Sequence, residues 1–79
     1  MTGERGKVFV DEVRAIWCRE LECSDITPEQ DFFALGGHSV IMARIQRAYI
    51  DEMGYEIPMD EMYRYPTIAS ISAYMESLP

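Results

Sequence analysis

Apolar residues recur at Phe9, Val13, Ile16, Trp17 and Leu21, and charges fill most positions between them. That spacing predicts an amphipathic helix over residues 7–22. The pattern breaks at CSDITPEQ, residues 23–30, where Ser24, Asp25, Thr27 and Pro28 favour turns and caps. A long loop opens there and runs to His38. Phe32, Phe33 and Leu35 are expected to anchor it, each burial stabilising the fold by roughly 1.5–3 kcal/mol. A second helix is predicted over residues 39–53, with Ile41, Ile45, Ala48 and Tyr49 facing inward and Gly54 placed to stop it. YEIP, residues 55–58, is a short extended link, because the residue before proline avoids the helical region. MDEMYRY, residues 59–65, makes one or two turns before Pro66. Thr67 then caps a last helix carrying Ile68, Ile71 and Met75 on one face. No run alternates long enough to argue a sheet. The expected fold is all-α: a four-helix bundle of three longer helices and one short one, with a long loop between the first two.

Seventy-nine residues leave room for one modest core, so a single domain over 1–79 is expected. No apolar run approaches the roughly 20 residues of a membrane helix. The N-terminus has no signal-peptide core, which makes the cytosol the default location. A net charge of −7 disfavours nucleic acid and anionic membranes as partners. Cys18 and Cys23 are not spaced as CxxC, and with one histidine in the chain no zinc ligand set is complete without carboxylates. Two reduced thiols are expected rather than a disulfide.

The stretch FFALGGHSVI, residues 32–41, holds the only histidine of the chain, behind two glycines and before a serine. Local chemistry alone allows a simple account: Gly36 and Gly37 bend the chain with positive φ, and Ser39 caps the helix. A hydrolase fails on three counts. The G-x-S-x-G elbow lacks its last glycine, since Ile41 stands there; no second histidine serves as base; and the chain is too short for the sheet that such an elbow needs. The remaining possibility is that another enzyme modifies Ser39. A helix N-terminus offers unpaired N–H groups and a positive dipole end, which favour an attached phosphodiester by roughly 0.3–1 kcal/mol.

DFFALGGHSV, residues 31–40, resembles the signature of peptidyl (thiolation) carrier domains of nonribosomal peptide synthetases. Ile16–Trp17 fits the first helix of that family. EIPMDEMYRYPTIASISAYM, residues 56–75, fits its continuation, with Met59, Met62 and Tyr63 where Leu and Phe are common. The resemblance implies a right-handed bundle of the acyl/peptidyl carrier type with no catalytic residue and no metal of its own. It implies 4′-phosphopantetheine, taken from coenzyme A by a Mg²⁺-using phosphopantetheinyl transferase and attached to Ser39. The arm's thiol would then take an aminoacyl or peptidyl group from an adenylation domain and present it to condensation, thioesterase or tailoring enzymes.

In that family His before the serine is typical of carriers serving condensation domains, whereas Asp is common in fatty-acid and polyketide carriers. His38 therefore points to a peptidyl carrier, and so does helix two, where Arg44 and Arg47 face only Asp51 and Glu52 at the far end. Gly37, His38, Val40, Met42 and Ala43 are the expected partner-facing residues, with the loop around Phe33–Leu35 beside them. An acyl or aryl carrier of another thioester pathway, and an unmodified helical interaction module, are the alternatives. A monomer is expected, and the absence of a linker at either end suggests a free-standing carrier.

Overall fold

The fold begins with a helix whose apolar residues recur every third or fourth position from Phe9 to Leu21. A computed structural model describes the backbone of residues 2–78 and the side chains of 9–78; Met1 and Pro79, the ends of the expected domain, lie outside the described residues. Helix α1 spans Thr2–Leu21, α2 Ser39–Ala48, α3 Met59–Arg64 and α4 Ile68–Ser77, and no strand occurs among the described residues. Helix α1 packs against α4 and α2, and α2 against α3. The stripe foreseen on α1 is the one buried: Phe9, Val13, Ile16 and Trp17 lie in the core, with Leu21 half-buried against it. On α4, Ile68, Ile71 and Met75 are likewise buried.

Helix α2 departs from expectation twice. Its inward stripe is Met42, Ile45, Ala48 and Tyr49, while Ile41 is only half-buried. Its predicted last turns, Tyr49–Met53, are π-helical, and Gly54 ends them at φ 76. Buried Tyr49 accepts a hydrogen bond from Trp17 Nε1 at 2.8 Å, which ties α1 to this turn through the core. Burial pushes the Tyr49 phenol well above its ordinary pKa, against the opposing effect of the Trp17 bond.

Thr67 caps α4 as foreseen, in a reciprocal box: its hydroxyl accepts from the Ser70 N–H, and Ser70 Oγ accepts from the Thr67 N–H. One turn later Ser72 is 2% exposed, and its hydroxyl finds no hydrogen-bond partner among the described residues. A buried unpaired hydroxyl destabilises by its desolvation. Ser72→Ala is therefore expected to stabilise the domain by about 1 kcal/mol, read as a Tm about 4–8 °C higher by calorimetry.

Candidate functional site

The long loop is held at both ends and in its middle. The Ile26 carbonyl accepts from Arg14 Nε at 3.2 Å, and the Pro28 carbonyl from the Ala69 N–H at 2.9 Å. Asp31 Oδ2 accepts from the N–H groups of Phe33 and Ala34, which starts a tight turn. The Phe32 N–H donates to the Pro66 carbonyl at 2.7 Å, and its ring lies edge-on to Trp17 at 5.4 Å. Of the expected anchors only Phe32 is fully buried; Leu35 is half-buried. Phe33 is 43% exposed and stacks on Tyr63 of α3, which is 45% exposed, at 5.7 Å and 12°. The two phenylalanine rings meet edge-on at 5.2 Å, Phe32 in the core and Phe33 at the surface over it. Ile26, buried as deeply as Trp17, is an anchor that the sequence pattern did not single out.

Only one of the two glycines has positive φ. Gly36 sits at φ 92, and a side chain there would meet open space. Gly37 is needed for a different reason. Its N–H donates to the Phe32 carbonyl at 3.1 Å, and its Cα lies against the Phe32 ring. A Cβ would stand 2.6 Å from Cδ2 of that ring and closer still to Cε2 and Cζ. Because Trp17 backs the ring, it has nowhere to go. Gly37→Ala is expected to destabilise by about 1–3 kcal/mol through overpacking, whereas a small side chain at Gly36 meets only the strain of its φ; paired thermal melts measure the difference.

The helix cap is also shifted by one residue. His38, extended at φ −148 and ψ 179, is the N-cap, and its side chain makes no capping bond. Ser39 is the first helical residue and is exposed. It is therefore not the cap that its residue type suggested, and its hydroxyl stands at the open end of the helix. The first turn of α2 contains no acidic residue. A phosphodiester on Ser39 would meet N–H groups and the positive end of the dipole, with no carboxylate in that turn to repel it.

Among the expected partner-facing residues, His38, Val40 and Ala43 are exposed, Val40 at 60%. Met42 is not: at 2% exposure it is part of the core, because the helix turns it rather than Ile41 inward. Gly37 is half-buried, with one side covered by Phe32. Nor are the arginines of α2 unopposed. Arg44 Nε pairs with Glu20 of α1 at 3.1 Å, and Arg47 Nε with Asp51 at 3.2 Å. Nearby, Arg19 pairs with Glu52 at 2.6 Å; their hydrogen bond holds the Glu52 carboxyl below its usual range and raises the Arg19 guanidinium. These pairs are exposed and screened, so they set orientation more than stability.

Among the described residues, four α-helices and a pinned loop leave an exposed serine at the open start of α2. Among the described residues, no cluster of His, Cys, Asp or Glu is placed to hold a metal ion. The chain belongs to the family described as "Phosphopantetheine attachment site", which matches residues 11–75. Domains of this family are non-catalytic and bear a covalently attached 4′-phosphopantetheine; this one is a carrier domain akin to those of nonribosomal peptide synthetases. It is 36% identical over 67 residues to surfactin synthase subunit 3 of Bacillus subtilis. It is 32% identical over 69 residues to the L-2-aminoadipate reductase large subunit of Candida glabrata. In both cases the match takes in 85% of this chain and 5% of the relative, so the chain spans a small part of their length. The fold is that of BlmI, a type-II acyl carrier protein from Streptomyces verticillus involved in bleomycin biosynthesis. The TM-score is 0.90 at 22% identity, over 96% of this chain and 92% of that one. The structure of McyG A-PCP complexed with phenylalanyl-adenylate matches with a TM-score of 0.80 at 27% identity, over 84% of this chain and 10% of that one. No helix among the described residues is long and apolar enough to cross a membrane.

Proposed function

We propose that this chain is a peptidyl carrier whose Ser39 hydroxyl bears the 4′-phosphopantetheine. The observation that carries the assignment is the exposed serine at the first position of a ten-residue helix without an acidic first turn. When bound, the arm supplies a thiol that holds an aminoacyl or peptidyl group as a thioester. The protein's own residues would position it: Phe32 seats Gly37, the extended His38 leads into α2, and the N–H groups of the helix end would favour its phosphate. The open space beside Gly36 lets a phosphopantetheinyl transferase, with Mg²⁺ and coenzyme A, approach the hydroxyl.

An adenylation domain would load the thiol, and condensation, thioesterase or tailoring enzymes would receive the cargo. The likeness to McyG A-PCP supports the adenylation step, and His38 before the serine supports amino-acid cargo. The net charge of −7 supports protein partners over nucleic acid or anionic membranes. The test is loading of the holo-protein by a set of adenylation enzymes with ATP and amino acids, followed by intact mass. A hydroxylamine-labile aminoacyl adduct supports a peptidyl carrier. Loading by acyl-transferring enzymes alone overturns it in favour of an acyl carrier.

Val40 lies beside the attachment residue, is largely exposed and sits outside the buried stripe of α2. Val40→Asp is expected to leave stability within about 0.5 kcal/mol of wild type. It should lower condensation-dependent turnover roughly tenfold, the effect of about 1.4 kcal/mol lost at an interface. Melting curves beside a product assay separate the two effects.

A further inference from the structure

The end of α1 turns back on itself. Glu22 has φ 53, in the left-handed region, and the Cys23 N–H donates to the Cys18 carbonyl at 3.1 Å. A bond from the sixth residue to the first, closing over a left-handed residue, is the Schellman form of helix ending. Its two end positions commonly carry side chains that pack against each other. In this chain both positions are cysteine. Both are half-buried, both pack against the core, and both are free thiols. With N and O 3.1 Å apart, the two Cα atoms lie within reach of the roughly 4.4–6.8 Å that a disulfide spans. Sequence spacing alone gave no reason to pair them; the left-handed turn at Glu22 supplies it.

We propose that Cys18 and Cys23 are a modification site, forming a reversible disulfide that staples the end of α1. The oxidant is a low-molecular-weight disulfide such as oxidised glutathione. The thiolate of one cysteine attacks the glutathione disulfide, forming a mixed disulfide and releasing one glutathione thiolate. The second cysteine thiolate attacks the protein sulfur of that mixed disulfide and releases the second glutathione. Two electrons pass to glutathione, and the two thiol protons go to the released thiolates. The closed ring contains Arg19 and Glu20, which pair with Glu52 and Arg44. Oxidation therefore fixes the α1–α2 pairing at the place where the loop leading to Ser39 begins.

The test is titration of the apo-chain with reduced and oxidised glutathione, acid quench, alkylation with iodoacetamide and intact mass. Ser39→Ala is run alongside, so that the thiol of a pantetheine arm takes no part. In the folded protein the expected species is two hydrogens lighter, takes up no alkyl group and carries no glutathione. Cys18→Ser and Cys23→Ser should each carry one glutathione instead. The ratio of internal disulfide to glutathione adduct should be about tenfold higher in the folded chain than in guanidinium, because the cap raises the effective concentration of the second thiol. Independent glutathionylation of both cysteines in the folded wild type overturns the proposal, as does an equal ratio in folded and denatured protein.

Discussion

Ser39→Ala is expected to abolish uptake of the phosphopantetheinyl group while leaving the bundle intact. Wild type incubated with coenzyme A, Mg²⁺ and a broad-specificity transferase should gain one such group by intact mass; the variant should gain none. The size of the effect comes from chemistry, since in the proposed function the Ser39 hydroxyl is the nucleophile and alanine has no substitute for it. The small structural cost follows from position. A serine at an N-cap loses about 1 kcal/mol on replacement by alanine. Ser39 stands one residue further in, with His38 at the cap, and alanine is a better helix former there. Loss of modification with an unchanged Tm therefore marks an attachment site. Loss of stability with modification retained at another residue would refute the assignment of Ser39.

Phe32→Ala is expected to have the largest effect on stability. Replacing a fully buried phenylalanine costs about 3–5 kcal/mol. A domain of this length has a total of about 4–12 kcal/mol to lose, at roughly 0.05–0.15 kcal/mol per residue. The variant should melt tens of degrees lower, at about 4–8 °C per kcal/mol. It should also be modified more slowly wherever it remains folded, because the ring is the seat for Gly37 and hence for the start of α2. Phe33→Ala, one residue along, loses a half-exposed stack on Tyr63 and an edge contact with Phe32, and should cost about 1–2 kcal/mol. Chemical denaturation of the two variants side by side separates the anchor from its surface neighbour; equal losses would mean that the loop is held some other way.

These neighbours also mark where the sequence stops being legible. The buried face of α1 could be read directly, because Phe9, Val13, Ile16 and Trp17 keep one helical register with charges between them, although the helix begins at Thr2 rather than at residue 7. The cap of α4 could be read because Thr follows Pro at the start of an apolar stripe. At Ile41–Met42 and Phe32–Phe33, two apolar residues stand side by side, and a periodic pattern fits either one. Packing on Trp17, and the turn set by Asp31, choose Met42 and Phe32. The family was legible from the run of residues around Ser39, but the place of that serine in the helix was not, since serine suits both the cap and the position after it. The π-helical turn at Tyr49 left no mark in the sequence; its first residue is held by a hydrogen bond from Trp17, 32 residues away along the chain.

That same hydrogen bond gives the protein an optical probe of its own. The chain has one tryptophan, 3% exposed, with its indole N–H bound to the Tyr49 hydroxyl and its ring against Phe32. Its emission senses both the joint between α1 and the π-helical turn and the ring on which Gly37 rests. Attachment of the arm, arrival of a partner or loosening of the loop can each be followed by fluorescence on the unlabelled protein, in real time and from a single residue. A change at the start of α2 is thus placed to register in a single residue buried beneath the Phe32 ring.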